Sequence, residues 1–502
     1  MPLIKGNVIA NMLGNGWAAM VSIAFLPLYI HFIGIESYAL VGFYVAMQAI
    51  LSRLDMGLTA VMSRELARLS ATENGEQAMR DLVRTLELVC CLLAAVIVII
   101  MASIAPWVSQ HWFNGSTLSA AVIHQSVVLM GIVIALRLLY GFYCSGFLGL
   151  QRQVLLNKAK VLLETIVALG SVLVLWRISP TIEAFFMWQA IAGGFAALTM
   201  ALLLWKALPA SEKPVLRLDI LRTVARFAGG VSLATLTASV FIQVDKLMLS
   251  AMLPIEVFGF YALASAVSMG SMFLVSASIF SAMYPAFTQL IASQNEVSLT
   301  QLYHKGSQAM TVLLVPAALV ISFFSKDILE VWTQNSALAT QVAPILSVIV
   351  VAAAFSGIRY LAYALQLSHG WTRLTVFSNL IAIVFLFAAL QIVVPLSGVQ
   401  GAALAFLIVN ALYTFFYVYI MHRKVLKMEF YKWLSADFIL PSVAAFSIVL
   451  CFWLLKPMDM NDLSKLMWIL LAEGLSTLAA VMFAPVVRRE MTSLYNAIFA
   501  NR

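Results

Sequence analysis

Leu88-Val89-Cys90-Cys91-Leu92-Leu93-Ala94-Ala95-Val96-Ile97-Val98-Ile99-Ile100-Met101-Ala102-Ser103-Ile104-Ala105 runs without a single charge. A helix needs about 20 mostly apolar residues to cross the roughly 30 Å hydrocarbon core of a bilayer. The segment around this run, 84–108, meets that requirement. The same reading, carried outward, predicts thirteen more segments: 8–33, 37–62, 122–150, 155–178, 181–206, 226–253, 256–289, 307–330, 341–368, 372–396, 399–422, 436–456 and 463–487. The composition agrees, with 63% apolar and 10% charged residues. A water-soluble domain carries about a quarter charged residues and could not hide so much apolar surface. The expected fold is therefore an all-α polytopic membrane protein of about fourteen transmembrane helices.

The longest polar connections, 63–83, 207–225 and 423–435, are too short for a further soluble domain. No small-residue cleavage pattern follows Lys5, so the first helix is expected to remain in the mature protein. Cys90, Cys91, Cys144 and Cys451 all fall in apolar runs and no histidine cluster joins them, so they read as packing residues. No metal or other cofactor is expected.

The net charge of +8 acquires a meaning once the segments are placed. With the N-terminus inside, 22 of the 30 Lys and Arg fall in inside loops and tails, and four (Arg177, Lys326, Lys456 and Lys465) fall outside. That bias is the positive-inside signature, and it predicts cytoplasmic N- and C-termini. It also explains the basic balance without nucleic acid as a partner.

A short internal repeat suggests duplication. Ile35-Glu36-Ser37-Tyr38-Ala39-Leu40 matches Ile255-Glu256-Val257-Phe258-Gly259-Phe260, each at the outside turn between the first two helices of a six-helix set. The predicted organisation is an N-lobe at 1–210, a C-lobe at 211–430 and an appended helix pair with a tail at 431–502. Two parallel six-helix lobes suit rocking about a central cavity.

Four basic residues remain inside the membrane, Arg53, Arg137, Lys246 and Arg359, with Asp55, Glu164, Asp245 and Glu473 as acidic companions. An arginine at the bilayer centre costs about 2.5–3.5 kcal/mol on insertion scales, so such residues face a cavity or a partner. Snorkelling or an inter-helix ion pair is the structural alternative, strongest for Arg53 near a cytoplasmic end. Tyr363 and Gln366 follow Arg359 at i+4 and i+7 and share its helix face. A cation, a ring and an amide together suit a phosphorylated sugar. Arg137 has Tyr140 and Cys144 at i+3 and i+7, while Gly141, Ser145 and Gly149 on the same helix read as a close-packing stripe. Pro27, Pro285 and Pro316 lie inside predicted spans as kinks or hinges.

Several separated motifs carry a family resemblance. They are Leu54-Asp55-Met56-Gly57-Leu58 with Ser63-Arg64-Glu65-Leu66-Ala67-Arg68, and Gly149-Leu150-Gln151-Arg152-Gln153-Val154-Leu155-Leu156-Asn157. Val244-Asp245-Lys246-Leu247-Met248-Leu249-Ser250 follows, with Leu253-Pro254-Ile255-Glu256 and Gly259-Phe260-Tyr261. The Trp112-Phe113-Asn114 stretch with Leu118-Ser119 fits as well. Over about residues 5–430 the chain resembles Wzx-type flippases of the polysaccharide transporter family. These belong to the multidrug/oligosaccharidyl-lipid/polysaccharide exporter superfamily, with lipid II flippases and MATE transporters as relatives. The resemblance implies two six-helix lobes around a cationic cavity and alternating access. The implied cargo is an undecaprenyl-diphosphate-linked oligosaccharide, O-antigen or a related repeat unit, passed from the cytoplasmic to the periplasmic leaflet. Implied partners are that glycan, membrane lipid and the polymerase or ligase machinery of the same pathway. Motif matches point to Asp55, Asp245 and Lys246. Together with the residues read from position alone, the expected cavity set is Arg53, Arg137, Arg359, Tyr363 and Lys246, with Asp55 and Asp245 as a charge relay. Arg64 and Arg152 match too, but as loop residues they read as topology or packing devices.

Two other functions compete. A membrane-embedded glycan polymerase or glycosyltransferase would need a sizeable outside loop with acidic, His or Arg residues, whereas the outside loops here are short and His111 and His124 stand alone. A MATE-like cation antiporter would need an anionic cavity, whereas the intramembrane bases match the acids in number. No Gly-x-x-x-x-Gly-Lys-Ser/Thr phosphate loop occurs, so a gradient, downstream consumption or an ATPase partner must supply energy.

Overall fold

The computed structural model describes residues 14, 16–18, 20–55, 57–72 and 75–499. Lys5, Met56 and Arg502 lie outside the described residues, as do the start of segment 8–33 and the side chains of Arg222 and Arg226. The described chain is helical, with no strand beyond an isolated bridge between Asn114 and Pro254. Eleven of its described helices are long and apolar enough to cross a membrane.

In chain order the helices are α1 (Leu26–Leu51), a 3₁₀ turn (Ser52–Asp55), α2 (Leu58–Leu69), α3 (Glu76–Trp107), α4 (Ala120–Gly149), α5 (Gln153–Arg177), α6 (Ile182–Ala207) and α7 (Leu218–Met252). Then come α8 (Ile255–Ala292), α9 (Glu296–Phe323), α10 (Ser325–Thr333), α11 (Ser336–Ser368) and α12 (Arg373–Lys424). The turn Phe430–Lys432 and a π-helical stretch, Trp433–Ile439, lead into α13 (Leu440–Leu454), followed by α14 (Asp462–Met482) and α15 (Pro485–Phe499).

The helix ends follow local chemistry. Ser119, Thr181, Asn295, Asn335 and Asn461 each accept a hydrogen bond from the amide three residues on, at 3.3, 3.4, 3.0, 3.0 and 2.8 Å, and so cap α4, α6, α9, α11 and α14. Each such cap is worth about 1 kcal/mol. Two breaks fall at glycines with left-handed φ: Gly34 (+75°) inside α1 and Gly398 (+58°) inside α12. Only glycine adopts that region without strain. Both breaks sit in the gaps expected between segments, so α1 holds the end of one segment and most of the next, and α12 holds two.

The chain divides by contact density into two compact units, Met1–Gly259 and Phe260–Arg502. Helix α7, the first helix of the expected C-lobe, packs on α1 and groups with the first unit. Within that unit α4 packs on α3, α6 and α2. The close approaches fall at Gly131, Gly146 and Gly149, where an added Cβ would meet Met101 Cβ at 2.6 Å, Leu204 Cδ2 at 2.6 Å and the Ser63 carbonyl at 2.6 Å. Gly141 has nothing within 4 Å. Gly149 and Ser145 of the Gly141–Ser145–Gly149 row are packed and Gly141 is not, so the close approaches run along Gly131, Gly146 and Gly149. In the second unit α11 packs on α9 and α12, and α13 and α14 pack on each other and on α9. Small buried residues, Ala445, Ala472 and Ala480, let those helices close.

Large apolar side chains cover much of the outside. Val384, Phe385 and Ile392 are each over 60% exposed. Such surface is stable against lipid and not against water.

Candidate functional site

In the first unit, motif residues build a clasp at one helix end. The Glu36 carboxylate accepts hydrogen bonds from Ser116 Oγ (3.1 Å), the Thr117 amide (2.5 Å), the Leu118 amide (3.4 Å) and the Thr117 hydroxyl. The Asn114 side chain donates to the Ala251 carbonyl at 2.7 Å, its carbonyl accepts from the Ile255 amide at 3.1 Å, and Trp112 Nε1 donates to Ser250 Oγ at 2.9 Å. The Trp112–Asn114 and Leu253–Glu256 motifs thus hold a turn in place.

The intramembrane charges of this unit have the following partners. Asp55 accepts from the Gly57 amide (3.1 Å), the Thr59 amide (3.4 Å) and the Thr59 hydroxyl (2.6 Å), which closes the entry to α2. Exposed Arg53 donates from Nε to Ser239 Oγ at 3.2 Å. Arg137 on α4 pairs with Glu164 on α5 at 2.8 Å, with the two side chains 26% and 20% exposed. Tyr140, Leu163, Val167, Gly193 and Ala196 close around that pair, leaving a void of only ≈ 10 Å³. Asp245 and Lys246 are both buried, with Lys246 Nζ 3.4 Å from Asp245 Oδ1 and donating to the Ile242 carbonyl at 3.0 Å. Arg64, expected in a loop, lies within α2 and is 62% exposed beside Glu65.

In the second unit Arg359 on α11 lies over the Tyr413 ring of α12, its guanidinium carbon 4.0 Å from the centroid, and donates to Thr414 Oγ1 at 3.1 Å. Tyr363 stacks on Phe280 of α8 with centroids 5.9 Å apart, and Tyr360 and Tyr284 complete the ring cluster at 4.8 and 5.7 Å from Phe280. A half-buried guanidinium beside phenols and a hydroxyl is thereby assembled. Gln366 is not part of it. It is fully buried, donates to the Trp371 carbonyl and accepts from Tyr417 and Thr375 hydroxyls, so its amide ties α11 to α12. Shared periodicity placed it on the Arg359 face, but the packed neighbours consume its bonds. An apolar groove of ≈ 250 Å³ runs between α9, α11 and α13, lined by Leu319, Val351, Phe355, Ile358, Phe438 and Phe446 among others.

The sequence reading missed a buried polar cluster of His304, Gln308, Glu429 and Asp437. His304 and Asp437 are 133 residues apart, and no helical period or short motif links them. A histidine and a glutamine at i and i+4, straddling the start of the 307–330 segment, were the available signal.

These features define a polytopic all-helical membrane fold with charged groups in its apolar helices. The sequence profile of the family described as polysaccharide biosynthesis protein matches residues 4–291, more than half of the chain. The chain belongs to that family. Among solved structures it resembles lipid II flippase MurJ in an inward closed conformation (TM-score 0.71, 14% identity, covering 97% of this chain and 99% of that one). It also resembles an inward-facing multidrug resistance MATE family transporter of the MOP superfamily (0.67, 12%, 83% and 96%). A third likeness is to a MOP superfamily transporter from Pyrococcus furiosus described as having a binding pocket of reverse polarity (0.59, 14%, 84% and 95%). At these identities the likeness is one of fold, and the fold is that of the MOP transporters. No curated protein sequence matches the chain.

Proposed function

We propose that the chain is a flippase that carries an undecaprenyl-diphosphate-linked oligosaccharide from the cytoplasmic to the periplasmic leaflet by alternating access. The observation that carries this reading is Arg359 beside Tyr413 and Thr414, with the Tyr360 and Tyr363 rings next along α11 and Phe280 of α8 against them. A guanidinium gives diphosphate two parallel donors, and in a site of reduced dielectric these charge-assisted bonds are strong. Aromatic faces suit the C–H side of a sugar. The ≈ 250 Å³ apolar groove suits part of a polyprenyl chain, which can otherwise stay in lipid. Family membership in polysaccharide biosynthesis supports the glycan side of the reading.

The other charged residues take graded roles in this proposal. Arg137 contributes only in a state where Glu164 lets it go. Asp245 with Lys246 is the better relay candidate, since Asp55 serves a local turn. Arg53, held on Ser239 within the first unit, is a further cation for the cargo's phosphates. The protein sits in the bacterial inner membrane with both termini cytoplasmic, and its product passes to the polymerase or ligase of the same pathway. The chain itself makes no bond.

The test is complementation of surface polysaccharide in a strain lacking its own flippase, paired with proteoliposomes in which lipid-linked glycan becomes accessible to an outside lectin. Restored polysaccharide and protein-dependent lectin access are expected. Formation of new glycosidic bonds would establish the polymerase reading instead. Dye export without glycan movement would establish the MATE-like one.

A further inference from the structure

His304 is buried on α9, and each of its ring nitrogens faces a carboxylate. Nδ1 lies 2.5 Å from Asp437 Oδ2 and Nε2 lies 2.9 Å from Glu429 Oε2. A neutral imidazole has one N–H and one lone pair, and an ionised carboxylate only accepts. Both contacts can be hydrogen bonds only if the cluster holds one proton more than a neutral ring and two carboxylates contain. Further bonds fix the two carboxylates in place. Gln308 Nε2 donates to Asp437 Oδ1 at 2.9 Å, while Gln308 Oε1 accepts from the Val486 amide at 2.8 Å, which fixes the amide's orientation. Lys432 pairs with Glu429 at 3.2 Å.

We propose that His304, Asp437 and Glu429 form a proton-binding site whose proton clasps the 425–432 link to α9. The link joins α12 to α13, so the site couples protonation to the hold of that link on α9. Losing the proton leaves His304 neutral, and the two arms are not equivalent. Asp437 is 1% exposed and held by Gln308, so the remaining N–H stays with it. The Nε2 lone pair then faces Glu429, which is 27% exposed and follows Met428, a residue at φ +69° and 91% exposed. The Glu429 arm opens.

Of the other ionisable groups on the elements around α9, His422 interacts electrostatically with His304 and Glu429, and the rest have separate partners or positions. Lys305 pairs with Glu490 of α15 at 2.8 Å, and Arg488 donates to the Met482 carbonyl. His422 of α12 packs its ring on Tyr303, centroids 5.1 Å apart, with Nε2 buried and without a hydrogen-bond partner. Lys424 lies over Trp371, and Arg423 and Arg489 are exposed. Helix α11 brings Arg359 and His369, α14 Glu473, and α10 Asp327 and Glu330 at the far end of α9.

This inference concerns the second unit alone and holds whatever the cargo is. The experiment is hydrogen exchange of the peptide covering 425–433 in the full-length protein in detergent, from about pH 5 to about pH 9, corrected for intrinsic rates, a range that brackets imidazole titration. Protection is expected to fall roughly tenfold as pH rises, the scale of one lost charge-assisted bond. Glu429→Gln should stay protected throughout, because an amide donates to the neutral Nε2. His304→Gln should remove the step. A flat wild-type profile overturns the proposal, and so does an unchanged step in Glu429→Gln. Should His304→Gln not accumulate, the wild-type and Glu429→Gln profiles decide.

Discussion

Gly259 lies against the backbone of Ile35, so that a Cβ built on it would stand 2.5 Å from the Ile35 carbonyl oxygen. The two residues belong to the two copies of the repeated hexapeptide, and both lie within the first unit. The repeat is thus also a contact, made between the turns that open α8 and the second half of α1.

Gly259→Val should be strongly destabilising, since the obstacle is backbone and cannot rotate away. Overpacking of this kind costs about 1–3 kcal/mol or more. Detergent-solubilised protein should melt several degrees lower, and membrane levels should drop. Gly141→Ala, with open space around it, should leave both unchanged. Equal behaviour of the two variants would show that the Gly259 approach is not tight in the protein.

Arg137 and Glu164 should behave as one unit. Removing one partner of a largely buried pair costs about 3–5 kcal/mol, whereas removing both leaves no stranded charge. Arg137→Gln and Glu164→Gln should each reduce folded protein, and the double variant should recover much of it. A well-folded Arg137→Gln that alone stops polysaccharide export would move Arg137 from packing to cargo binding.

Arg359 should be intolerant of lysine. Lysine keeps the charge but loses the planar fork and the flat packing on Tyr413. In complementation, Arg359→Ala should nearly abolish surface polysaccharide and Arg359→Lys should lower it about tenfold, a loss of roughly 1.4 kcal/mol. Tyr413→Phe keeps the ring face and should stay near wild type. Wild-type polysaccharide from Arg359→Ala at normal membrane levels would remove this residue from the site.

The attachment of α14 should weaken in acid through Glu330, which lies outside the spanning segments. The Lys465 hydrogen bond at 3.0 Å, helped by Ser336 and Lys326, holds its carboxyl below the ordinary value of 4.5, against the opposing effect of burial. A lowered folded value means stability present above about pH 4.5 and lost as pH falls through the folded value. Melting temperature should therefore drop across that window, and less so in Glu330→Gln. Identical acid profiles would show that the pair contributes nothing.

Reporter tags should test the orientation. Fusions at residues 70, 215 and 430 should read cytoplasmic and one near 115 periplasmic, following the distribution of Lys and Arg. A reproducible reversal at any of these positions would reject the predicted topology.

Sequence by itself was enough for the class and for the segment plan. Unbroken runs such as Leu88–Ala105 have one stable environment, and span length put gaps where Gly34 and Gly398 break α1 and α12. Motifs around Asp55, Asp245 and Gly259 were enough to recognise the family. The partners of the charges were decided only by tertiary structure. Helical spacing says which residues share a face but not which neighbour that face meets. Gln366 therefore looked like a companion of Arg359 and is instead bonded to Tyr417 and Trp371. Arg137 and Glu164 were both noted as intramembrane charges, but their pairing needed α4 and α5 side by side. The His304–Asp437–Glu429 cluster left only the His304–Gln308 spacing as a local sign, because its members meet only when the turn before α13 folds back on α9. Periodicity is a property of one helix, while hydrogen-bond satisfaction in a bilayer is a property of several, and the second decides where buried charge is tolerated.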